Sequence, residues 1–174
     1  MDIQKLKFPI GEFAPKENYS QEEINSFIAD IEALPSQLRQ EVKNLSDIQL
    51  DTQYRPEGWT VRQVIHHLPD SHMNSFIRFK LTLTEDTPEI KPYFADRWAM
   101  LPDAKLPPEV SLRIIDALHE RWVYLLKSMT ETDFERKYIH SEYKKTFTLR
   151  EAVHLYSWHC RHHLAHIQLV SRAK

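Results

Sequence analysis

The stretch Tyr156-Ser157-Trp158-His159-Cys160-Arg161-His162-His163-Leu164-Ala165-His166-Ile167 decides how this 174-residue chain is read. Taken with its flanks, residues 148–172, it is one amphipathic helix. At about 100° per residue, Leu149, Ala152, Val153, Leu155, Tyr156, Cys160, Ile167 and Val170 share a broad apolar face, while Arg150, Arg161, Gln168 and Arg172 lie opposite. Such a face is buried against other elements. The run also holds two HxxxH pairs, His159/His163 and His162/His166. Imidazoles four apart project from adjacent turns of one face, a common way for one helix to supply two ligands to a metal ion. His159 and His163 fall near the middle of the apolar face, His166 beside it, and His162 nearer the edge. A buried imidazole with neither hydrogen bond nor metal is costly, so the inner pair is the better ligand candidate.

Working outward, the same period recurs upstream. Ser20 caps a helix from Gln21, with Glu23 at the capping-box position. Ile24, Phe27, Ile28, Ile31 and Leu34 follow, Pro35 interrupts, and Leu38, Val42 and Leu45 resume, giving one kinked helix or two consecutive ones. Thr60 caps a second helix to about Thr84. Pro69 lies inside it and leaves the Ile65 carbonyl without its helical donor, so a kink is expected beside His66 and His67. A third helix spans about 108–129. Residues 1–19 read as an extended arm. Residues 86–108, with five prolines, read as an irregular surface connection, and 134–148 as a short hairpin or loop. The expectation is a single all-α domain over 1–174, a four-helix bundle with long proline-rich connections and an N-terminal arm.

Composition narrows the function. A chain 41% hydrophobic and 28% charged is of globular type. Its net charge of −2, with scattered basic residues, speaks against a nucleic-acid surface. Cys160 is the only cysteine, which excludes an intramolecular disulfide and reads as a small apolar residue. The first residues lack a signal-peptide pattern, and no apolar run reaches membrane-spanning length. A cytoplasmic protein with no membrane partner is expected.

Two histidines do not complete a catalytic metal site, which usually takes three protein ligands and keeps one position open. The third must come from another helix. His66, His67, His72, His119, His140 and His154 are all candidates, with His72 deepest on the apolar side of the second helix and His67 on its flank. The residues alone leave that choice open. Asp70, one turn after His67, could orient a ligand or act as a base, and Tyr156 could face the same cavity. Both are weaker candidates than the histidines, as are Glu120 and Arg121.

The runs Tyr54-Arg55-Pro56-Glu57-Gly58-Trp59-Thr60-Val61-Arg62-Gln63-Val64-Ile65-His66-His67 and Asp70-Ser71-His72-Met73-Asn74 together resemble the YfiT branch of the DinB superfamily. So do Leu118-His119-Glu120-Arg121-Trp122 and the stretch from Tyr156 through His166-Ile167. The resemblance extends over nearly the whole chain. It implies a four-helix bundle whose metal is held by a histidine eight residues after a tryptophan in the second helix, here His67 after Trp59. The HxxxH pair in the last helix, His159 and His163, supplies the rest. His166 stands where the wider family often has glutamine and is expected to support a ligand rather than bind the ion. Pro69 departs from the small or aliphatic residue usual there.

The implied activity is that of a metal-dependent hydrolase, using an open three-histidine site to activate water. The alternative is a bacillithiol-type thiol S-transferase acting in detoxification, with a thiol cosubstrate. A third reading is a non-catalytic bundle whose metal only staples helices, which a closed site with His166 binding would favour. One divalent ion per chain is expected, zinc by default for imidazole ligands with nickel as the other choice. A small-molecule substrate and a homodimer, through the arm and the proline-rich segment, complete the expectation.

Overall fold

The computed structural model describes residues 2–173. The periodic segments become four long helices: α2 (Gln21–Val42), α4 (Val61–Thr84), α6 (Pro108–Ser128) and α8 (Leu149–Ser171), with a short α1 (Ile3–Lys7) in the N-terminal arm. Their starts follow from local chemistry. Ser20, Thr60 and Thr148 each accept from the backbone N–H three residues on, while Glu23, Gln63 and Glu151 reach back to the cap, so two orphan donors are satisfied at each end. Pro108 opens α6, where a missing N–H costs nothing. Both interior prolines lie inside unbroken helices, Pro35 in α2 and Pro69 in α4. The Pro35 interruption therefore divides nothing.

Helix α2 packs on α8 and α6, and α4 packs on α6 and α8. Two of the three pairs consecutive in sequence, α2/α4 and α6/α8, thus sit diagonally across the bundle. That topology needs long connections, and they carry the remaining elements: α3 (Asp47–Leu50) before α4, and α7 (Glu131–Phe134) after α6. Residues 86–108 are more ordered than their prolines suggest. They contain β1 (Glu89–Ile90), α5 (Ala95–Trp98) and a 3-10 turn at Pro102–Lys105. The stretch 134–148 forms the hairpin β2 (Lys137–His140) and β3 (Lys145–Thr148), and β1 joins β2 in parallel to make a small three-stranded sheet. The fold is otherwise helical.

The core lies between the four long helices, with Trp122, Phe79, Ile31, Leu34, Leu68 and Ile115 fully buried. Polar residues enter it in number. His66, His67, His72, His119, His162 and His166 are all buried. Arg150, placed on the polar side by the helical wheel, is buried as well, because Glu131 and Glu135 beside α7 close over it as ion-pair partners. Among the described residues no helix is long and apolar enough to cross a membrane.

Candidate metal centre

Helices α4 and α8 face each other, and His67, His159 and His163 meet across that contact. One ring nitrogen from each lies within 4.8 Å of the others. The Nε2 atoms of His67 and His159 are 3.3 Å apart. Two nitrogens each about 2.05 Å from a tetrahedral ion are separated by about 3.3 Å, so this pair already has the spacing of two zinc ligands. Trp59 walls the group, its ring 4.7 Å from His67 and nearly parallel to His163 at 6.4 Å. Thr60 at the start of α4 fixes both: Trp59 immediately precedes the cap, and His67 lies two turns inside.

Electrostatics favour lone pairs here. Burial pushes the His67 imidazole down to about 4 and holds His159 and His163 well below the ordinary histidine range, and the crowding of neighbouring imidazoles adds to it. All three are neutral at pH 7, the form that binds metal. No carboxylate belongs to the group, so a dication there would keep its charge. His159 retains some exposed surface. The donor set fits a divalent metal ion.

His166 is turned away from the group centre. Its Nε2 donates to the Lys7 carbonyl at 3.1 Å, and its Nδ1 lies 3.4 Å from Nδ1 of His163. Because Nε2 carries the proton, Nδ1 of His166 is an acceptor; His163 then donates from Nδ1 and presents Nε2 as its bare nitrogen. His162 is not at an open edge. Its ring stacks on Trp158 at 4.2 Å, and Phe8 of the N-terminal arm covers it at 6.0 Å. The Trp158 indole donates to the Gly11 carbonyl, which holds the arm down. His162, His163 and His166 also form a close group, but the contact with Lys7 occupies one nitrogen of His166.

The other candidates divide. His66 faces α6, bonded to Ser111 and to the Leu106 carbonyl. His140 belongs to the sheet, and His154 stacks on Phe27 at 4.5 Å. Neither is in the group. Asp70 lines a cavity of about 80 Å³ together with His66, His67 and Asp103. Burial, and after it the charge of Asp103, raises its carboxyl to about 6. The Tyr156 hydroxyl donates to the Ser71 carbonyl at 3.2 Å, so that group is already committed. A groove of about 700 Å³ is lined by Thr60, Arg62 and Gln63 at the start of α4, where Arg62 is paired with Asp47 and Asp51.

Ser71 was not singled out from sequence. Its Oγ is 3.4 Å from Nε2 of His159. It stands four residues after His67, on the same face of α4, and that spacing was the available signal.

Comparison with known proteins agrees with this architecture. The family model of the DinB superfamily matches residues 30–167. A Bacillus subtilis (strain 168) protein, YfiT, is 49% identical over 173 residues, covering 99% of this chain and 97% of its own. Its solved structure superposes with a TM-score of 0.94 over 97% of each chain and is described as "a probable metal-dependent hydrolase with an unusual four-helix bundle topology". A Bacillus cereus relative, provisionally named a metal-dependent hydrolase, is 54% identical over 165 residues, 95% of each chain. A mycothiol-dependent maleylpyruvate isomerase shares the fold at a TM-score of 0.66 and 14% identity, over 83% of this chain and 60% of its own.

Proposed function

The chain belongs to the DinB superfamily, and from that premise we propose that it is a metal-dependent hydrolase whose ion is held by His67, His159 and His163. The observation that carries this reading is the convergence of three neutral imidazoles from α4 and α8, two of them at the spacing of zinc ligands. When bound in such a set, a divalent cation supplies Lewis acidity and brings the pKa of water toward 7. Zinc is the first expectation and nickel the second.

The chain's own residues provide the remainder. His163 is oriented by His166, whose other nitrogen is tied to the Lys7 carbonyl. His166 therefore supports a ligand and does not close the site as a fourth one, which favours catalysis over a structural staple. Asp70 is the candidate base. A carboxylate that titrates at about 6 can accept a proton from a nucleophile near neutral pH and return it to a leaving group. Trp59 shields one side of the group from water.

The test is a panel of esters and amides assayed on protein of known metal content, beside a thiol paired with an electrophile such as a chloronitroaromatic. Hydrolysis that disappears with chelation and returns with zinc is expected. Metal-dependent conjugation with no hydrolysis would replace this reading with that of a thiol S-transferase.

A further inference from the structure

A continuous polar string crosses the bundle and ends on one of the candidate ligands. It begins at the carbonyl of Ile31 in α2. In a regular helix that oxygen would accept from the N–H of the fourth residue on, but that residue is Pro35, which has none. The freed oxygen instead lies 2.7 Å from Nδ1 of His119 on α6. Nε2 of His119 is 2.7 Å from Nδ1 of His72 on α4. Nε2 of His72 is 3.1 Å from Nδ1 of His159 on α8. Each of the four long helices contributes one member. His72 and His119 are essentially inaccessible, 0% and 2% exposed, so no water competes for these contacts.

The direction of every bond follows from the first. A carbonyl only accepts, so His119 carries its proton on Nδ1. A neutral imidazole has one N–H, so Nε2 of His119 is an acceptor and must be met by a proton on Nδ1 of His72. By the same step Nε2 of His72 accepts, and His159 carries its proton on Nδ1. Nε2 of His159 is left bare, and that is the nitrogen 3.3 Å from Nε2 of His67.

We propose that His119 and His72 are positioning residues which, anchored on the Ile31 carbonyl freed by Pro35, lock His159 in the tautomer that presents Nε2 to the metal. This inference rests on the ligand assignment made above. It gives a role to two buried histidines that are not ligands, and to a proline inside a helix. A string built this way also fixes ring orientation, because His119 and His72 are each held at both nitrogens and His159 is held at Nδ1. Partners of this kind, one step outside a ligand imidazole, typically account for 10–100-fold in metal affinity.

The decisive measurement needs no substitution. In the full-length, metal-free chain labelled with ¹⁵N, long-range proton–nitrogen correlation at pH 8 reads the tautomer of each imidazole. His72, His119 and His159 should all carry the proton on Nδ1; an Nε2 proton on any of them overturns the proposal. The variant arm uses zinc affinity, measured by competition with a chromophoric chelator. His119→Leu removes the acceptor for His72 and should weaken zinc binding by about 10–100-fold. His119→Gln, whose side-chain oxygen can again accept from His72, should recover most of that loss. Unchanged affinity in a folded His119→Leu chain overturns the proposal, as does equal loss in both variants. His159→Ala separates the two levels. If it loses zinc while His119→Leu keeps it, the string is wrong and the ligand assignment stands; if His159→Ala binds zinc normally, the ligand assignment itself fails.

Discussion

Acidifying the metal-free protein should unfold it steeply, and the slope can be worked out from its histidines. An unfolded chain titrates imidazoles near 6.5. In the fold, burial holds His67, His119 and His166 at about 4 and His162 at about 3. Their folded pKa values are depressed, so they contribute stability that is fully present above about 6.5 and is lost as pH falls toward 4. Asp70 works the other way. Its folded pKa of about 6 is raised above that of a free carboxyl, so protonating it between about 6 and 4 favours the fold. At pH 5.5 each of the four imidazoles is about nine-tenths protonated when unfolded and nearly unprotonated when folded, and Asp70 subtracts about 0.7 of a proton. The unfolded state then binds about 3 more protons, and stability falls by about 4 kcal/mol per pH unit. His72, His159 and His163, also held well below the ordinary histidine range by burial, steepen the fall. At that slope a domain stable by about 5–15 kcal/mol exhausts its stability over about one to four pH units. Urea unfolding followed by tryptophan fluorescence in steps from pH 8 to 5 measures the slope. A stability flat between pH 6.5 and 5 would show that these imidazoles are not held neutral, and the basis for the metal reading would go with it.

Other outcomes follow from the same geometry. His67→Ala, His159→Ala and His163→Ala should each strip the metal in elemental analysis, while His162→Ala, which removes a ring packed under the N-terminal arm, should leave it bound. Zinc competes with protons for the ligand imidazoles, so loading the protein should move its acid midpoint to lower pH, and an unchanged midpoint would contradict binding at these histidines. Asp70→Asn should abolish most of the hydrolysis yet stabilise the metal-free chain at pH 8. Relief of the buried charge amounts to about 3 kcal/mol for a fully buried group and about 1–2 kcal/mol at its partial exposure, and the gain should vanish at pH 4, where the carboxyl is already neutral. Deleting residues 2–8 removes the Lys7 carbonyl and should weaken zinc binding severalfold, a smaller effect than losing a ligand.

The four long helices were legible because their apolar spacing and caps are local properties. Ser20, Thr60 and Thr148 mark their starts in the sequence as clearly as in the fold. Of the small sheet, the β2–β3 hairpin was legible as one of two alternatives, but β1 was not: it is two residues long, and its partner lies about fifty residues away. Arg150 was misplaced because a helical wheel knows nothing of Glu131 and Glu135 arriving from another element. His162 was set at an edge because nothing in α8 announces that Phe8 and Gly11 fold back over it.

The choice between His67 and His72 shows where periodicity stops. The wheel ranks residues by depth, and it ranked His72 deepest, which is correct. Depth, however, selects against the ligand role for that residue. An imidazole that far inside has its two nitrogens taken by other protein groups, here His119 and His159. A residue on the flank keeps a nitrogen for the cavity, and His67 occupies that flank. Depth is read from one helix at a time, whereas the partners that consume a nitrogen come from the other three. The Pro35 interruption belongs to the same class. Read along α2 it marks a break in a pattern; read across the bundle it frees the one oxygen from which the protonation of three histidines follows.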